Sequence, residues 1–419
     1  MAQAQGVVIT PPAPNSTLRK LRFLLLALCV LIGVLIWMNA DQLRRWRYNR
    51  MPTVELLTRA RQQPQDLLLL KATGIRLLNE GRADEAEPLL VPSAEAHPAD
   101  AELNILAGRA EALAGDPQRA AHLIDKALEA APENADIRFW AAQFLYQRGH
   151  KELAEKIFFE VTQLDPHRGD AWVSLAEISL NAMDYSSALK RLDEAERLTP
   201  TGDVAYLRAS ALKELGRRDE AEAAARVAVA RKPTAATYAL LGELVQQSPS
   251  DARLHEAQGY LQKALAEEPT NLDTQKLLAI NYRDLGEHAQ AVKVLRHMLR
   301  QEPAMTEGYM LLSQSYEALG KHDLAEKTLS IFRRLQPLQD KVDYAKHHVS
   351  LGHGSATTQL AYARALLALG RRDLATDVIE KIWFKSPANT EVKAMARLAQ
   401  GPLLIHIPPL PPDATGDAP

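Results

Sequence analysis

Three histidines crowd one short stretch, His347, His348 and His353, and imidazole is a common metal ligand. Successive residues on a helix diverge by about 100°, so His347 and His348 would not meet one ion, and no carboxylate or thiolate completes a metal motif. A solvated helix or loop is expected there, with no metal site and no cofactor. No Gly-rich phosphate loop, nucleophile elbow or paired-carboxylate site stands out, so no catalytic residue is assigned and the chain is not expected to be an enzyme. Arginine pairs at 217, 333 and 371 sit at or near predicted helix ends, where exposure and the helix dipole account for some of them. The chemistry on offer is that of binding. Phe139, Gln143, Tyr146, Val173, Glu177, Tyr206 and Lys213 set aromatic rings among polar side chains, and rings bury large area at low entropic cost. Helical spacing alone also suits an interior position for Phe139 and Tyr206.

Composition narrows the partner. Lys and Arg number 50 against 52 Asp and Glu, a net charge of −2, which gives no electrostatic case for nucleic acid. No small-molecule substrate is evident either. Hydrophobic residues make up 47% of the chain but aromatics only 5%, so the apolar content is mostly Ala and Leu, which favour helices and their close packing. The single cysteine, Cys29, lies in an apolar stretch, so there is no disulfide framework.

The elements that must carry these residues are marked by two series. Pro64, Pro98, Pro132, Pro166 and Pro200 are each 34 residues apart, and Pro233, Pro269, Pro303 and Pro337 continue at 33, 36, 34 and 34. Pro387 follows after 50, one period plus 16. In phase with them run Gly81, Gly115, Gly149, Gly216, Gly286, Gly320 and Gly370, each followed five residues later by alanine. Glycine can take the left-handed conformation that closes a helix, alanine lets the next helix lie close, and proline ends it. Two helices per unit follow.

This pattern resembles the tetratricopeptide repeat. Trp172, Leu175 and Ala176, then Leu278, Ala279 and Tyr282, then Tyr309, Leu312, Ser313 and Tyr316 match its first-helix signature. Residues 215–221, 285–291 and 369–375 are close variants of its elbow. The resemblance implies an all-α fold, a right-handed superhelical solenoid of helix-turn-helix repeats, and a concave face on the first helices that binds other proteins or peptides. The seven residues named above fall on that face in the third to fifth units. The family's clamp for a C-terminal carboxylate is not evident. Glu102, Asp136, Asp170, Asp203, Asp273 and Glu307 open the first helices, where they suit the helix dipole better than they argue for a basic ligand. Three departures stand out. Met183 replaces an elbow glycine, so that turn should close differently; residues 248–253 lengthen the sixth elbow; and about 340–355 is an insertion, adding a turn of helix or interrupting the stack.

Residues 23–38 carry no charge and would span about 24 Å as a helix; Leu21, Asn39 and Ala40 extend the run, and Arg22 can snorkel. A cleaved signal peptide fits less well, because Met38-Asn39-Ala40 has a large residue where a small one is needed, and a buried core helix would show a polar face. The expected organisation is a flexible tail at 1–17, a transmembrane anchor helix at 18–40, a juxtamembrane basic segment and linker at 41–66, nine repeats at 67–387, a capping helix at 388–400 and a Pro-rich disordered tail at 401–419. Basic residues flank the apolar run on both sides, leaving a cytoplasmic and a periplasmic body nearly even. The expected role is a single-pass scaffold, in a bacterial inner membrane, that positions partners in an assembly for envelope biogenesis or secretion. The alternative is a non-catalytic subunit of a membrane-associated enzyme such as a glycosyltransferase or protease.

Overall fold

The computed structural model describes residues 40–247, 250–350, 355–385, 389–401 and 405–413. The expected tail at 1–17, nearly all of the expected anchor at 18–40, and His353 lie outside the described residues. Among the described residues no helix is long and apolar enough to cross a membrane, no group of His, Cys, Asp and Glu could hold a metal ion, and the regular structure is twenty-one helices with no strand.

The chain forms two compact units, divided between Ile178 and Ser179. The first contains α1 (Ala40–Arg50), α2 (Thr53–Gln62), α3 (Leu67–Asn79), α4 (Ala83–Ala96), α5 (Ala101–Ala114), α6 (Pro117–Ala130), α7 (Ala135–Gln147), α8 (Lys151–Leu164) and most of α9 (Gly169–Asn181). Asp66, Asp100, Asp116 and Asn134 cap α3, α5, α6 and α7 by accepting first-turn backbone N–H groups. Successive helices pack as hairpins, and the first helices α3, α5 and α7 also touch side by side. That lateral contact makes a continuous face.

The second unit runs through α10 (Tyr185–Leu198), α11 (Gly202–Glu214), α12 (Arg218–Arg231), α13 (Ala235–Gln246), α14 (Asp251–Glu267), α15 (Leu272–Asp284), α16 (His288–Gln301), α17 (Thr306–Ala318), α18 (His322–Ser350), α19 (Ala356–Leu369), α20 (Arg372–Lys385) and α21 (Thr390–Gln400). The periodic marks act as expected in both units. The alanines five residues past each elbow glycine are buried, and each second helix from α4 to α16 stops two residues before its marker proline.

Several expectations are corrected. Residues 41–66 are not a linker: α1 and α2 fill most of the segment, and Tyr48, Met51, Leu56 and Ala60 share a buried cluster with Leu69 and Leu70. Met183 closes its turn as the glycines do. Its φ is 57°, and the Met183 and Asp184 N–H groups return to Leu180 and Ser179 just as Gly149 and His150 return to Tyr146 and Leu145. Residues 251–253 start α14 instead of extending an elbow. Pro337 does not end its helix: α18 continues to Ser350, because Ile331, Leu335, Leu338 and Val342 form one apolar stripe on the core across the proline. Part of the C-terminal tail is ordered, with Ile405, Ile407 and Leu410 packed on the core of the second unit.

Candidate protein-binding cleft

The structure places the residues singled out from the sequence in mixed settings. Phe139 is 5% exposed and belongs to the interior, edge-on to Phe158 and Trp140 with ring centroids 5.5 Å apart in each case. It is not an exposed anchor, because the neighbouring repeat covers it: Ala171, Leu175 and Ile178 share its cluster, and the Arg168 guanidinium lies over its ring. Gln143 donates to the Ser174 hydroxyl at 3.1 Å. Tyr146 and Glu177 are half-buried and engaged by neighbouring groups, and Val173 is half-buried. In the second unit Tyr206 packs against its core, and Lys213 donates to both carboxylate oxygens of Glu243. The acidic residues that open first helices are largely taken up between repeats: Glu102 by Lys71, Asp136 by Arg168, Asp203 by Lys232 and Glu307 by Lys276. Such pairs stabilise weakly, by about 0–1 kcal/mol each, and leave little free charge for a basic ligand.

The open site lies one repeat earlier. A cleft of about 490 Å³ runs across α3, α5 and α7, with Ile75, Ile105, Leu106, Arg109 and Trp140 among its walls and Arg45 of α1 at its edge. Ile75 is 38% exposed, a large aliphatic side chain turned to solvent within a concave surface. The Arg109 guanidinium carbon stands 3.4 Å from the centroid of the Trp140 ring, which is face contact. Among the described residues Arg109 has no hydrogen-bond or ion-pair partner. Burial pushes its guanidinium down to about 10, so it stays charged at neutral pH.

The carboxylates nearby are committed elsewhere. Lys71 Nζ lies 2.7 Å from Asp100 and 3.0 Å from Glu102. Burial works to raise the Asp100 carboxyl, but Lys71 and the Leu103 N–H, which Asp100 accepts as a helix cap, together hold it below its ordinary value. Asp136 pairs with Arg168. An exposed aliphatic side chain, an aromatic face and a cation that has no counter-charge among the described residues can bind a polypeptide segment.

Two models of the tetratricopeptide repeat match the chain, one at residues 71–121 and 173–236, the other at 111–163 and 250–303. Together they take in half of it. The chain belongs to the tetratricopeptide-repeat family, whose members bind other proteins or peptides. No curated protein matches the chain. Among solved structures it is similar to Pseudomonas aeruginosa pilF, with 21% identity over 52% of this chain and 99% of that one and a TM-score of 0.45. A thermophilic repeat protein of Thermus thermophilus, TTC0263, gives 24% identity, 43% and 98% coverage and a TM-score of 0.36. YrrB, a repeat protein with an unusual peptide-binding site, gives 18%, 46%, 97% and 0.39.

Proposed function

We propose that this chain is a membrane-anchored scaffold that receives a segment of a partner protein in the cleft on α3, α5 and α7 and so positions that partner in an assembly. The observation that carries the reading is the cleft wall itself: Ile75 exposed, Trp140 half-buried and Arg109 unpaired among the described residues, on three first helices in lateral contact. Folding alone gains nothing from leaving such groups unsatisfied. The charge-free run at 23–38 supports anchoring in a bacterial inner membrane. Arg45 follows Met38 by seven residues, which even fully extended reach only about 25 Å, so the cleft would face partners close to the bilayer.

Co-purification from gently solubilised membranes tests this. A partner retained by the natural chain should be lost with Trp140→Ala, while thermal unfolding shows the variant still folded. A partner set unchanged by the substitution would remove the cleft from the account.

A further inference from the structure

Arg109 is an expense to the fold without an evident return. A half-buried guanidinium has given up part of its hydration, and stacking on Trp140 restores only some of the loss. The cleft's own acids, Glu102 and Asp136, pair with Lys71 and Arg168 instead. The guanidinium lies over the indole face, and none of its N–H donors meets a protein acceptor among the described residues.

We infer that Arg109, held on the Trp140 face, receives a carboxylate side chain from an extended, partly apolar segment of the partner. This deepens the reading of the cleft as a protein-binding site and rests on it. A planar fork of donors matches a carboxylate with two parallel hydrogen bonds, and the exposed Ile75 offers apolar surface to a residue flanking the acid. The lowered guanidinium value is consistent with a cation short of a counter-charge, which a bound carboxylate would supply. One carboxylate balances the single charge of Arg109, whereas a phosphate dianion leaves one charge over, so an aspartate or glutamate is preferred over a phosphorylated residue.

The test is a displayed library of random decapeptides panned on the full chain in detergent micelles. Winning peptides are then synthesised with blocked termini, so that only side chains supply carboxylates. The expected winners carry Asp or Glu beside an apolar residue. Replacing that acid by its amide weakens binding at least tenfold, Arg109→Gln weakens it equally, and the two changes together cost little more than either alone. Arg109→Gln should unfold at the same temperature as the natural chain or higher, which separates lost binding from lost folding. Trp140→Ala should abolish binding and Trp140→Phe should retain part of it. Neutral winners lost with Trp140→Ala but indifferent to Arg109→Gln would overturn the carboxylate and leave the cleft. Phosphoserine outbinding aspartate at the same position would overturn the preference for a single charge. Absence of any winner dependent on Trp140 or Arg109 would overturn both readings.

Discussion

Lys321 and Asp413 form a two-oxygen ion pair, 2.9 and 3.1 Å long, across 92 residues of chain. Asp413 is only 6% exposed, and just before it the Pro411 carbonyl accepts from Arg296, whose guanidinium also donates to the Tyr316 hydroxyl. The proline-rich segment is thus seated on the second unit by the Lys321 ion pair, a hydrogen bond from Arg296 to its backbone, a hydrogen bond between Tyr316 and Asp413, and apolar side chains. Lys321→Glu leaves Asp413 facing a like charge and should cost about 1–3 kcal/mol, with early protease cleavage near residue 405. Joining it to Asp413→Lys should recover part of the loss. Denaturant unfolding and limited proteolysis of the two variants check this; unchanged behaviour of Lys321→Glu would mean that the pair does not hold the tail.

Glu111 gives a pH-dependent prediction. Its side chain is buried on α5, burial raises its carboxyl, and Arg119, 3.1 Å away, opposes the rise without cancelling it. A carboxyl raised on folding contributes stability that is full below the ordinary value near 4.5 and lost as pH rises through the folded value. At pH 7 the charged form therefore works against folding. Glu111→Gln should be the more stable protein at pH 7, with the difference vanishing below about pH 4. Denaturant titrations at both pH values decide it; equal stability at pH 7 would contradict the sign.

Met183 holds a left-handed conformation that costs a side-chain-bearing residue about 1–2 kcal/mol, and its side chain is 56% exposed, so little packing depends on it. Met183→Gly should stabilise the chain by about 0.5–1 kcal/mol, the relief of strain less the added flexibility of the unfolded chain. A lowered unfolding temperature would show that the methionine side chain contributes something the strain argument omits.

Truncation separates the membrane from the fold. Removing residues 1–39 should give a folded body that stays in the aqueous phase after high-salt extraction. Removing 1–50 should cost stability as well, because Tyr48 leaves the cluster around Leu69 and its hydroxyl no longer donates to Asp66 at 2.8 Å. Membrane partitioning of the shorter cut under high salt would show a second attachment.

The repeats were legible because their marks act locally: a glycine closes a turn and an alanine admits a neighbour whatever surrounds them. The cleft was not. Ile75, Arg109, Gln143 and Glu177 are each 34 residues apart and share one helical register, so counting back from the middle units would have reached Arg109. Register does not say which member is covered. Ile105, Phe139 and Val173 also share one, yet Ile105 and Phe139 are buried while Val173 is half-buried. The ordered tail was hidden for another reason: proline excludes helix but not an extended segment docked on an apolar surface.

The most direct measurement is site-specific photo-crosslinking in native membranes, with a photoreactive amino acid in place of Ile75 in the cleft and, as a control, in place of the exposed Glu129 on α6. The account predicts a discrete adduct with one partner from position 75 that disappears when Trp140→Ala is added, and none from position 129. The same adducts from both positions, or an adduct from 129 and none from 75, would contradict the claim that this cleft is where the chain holds its partner.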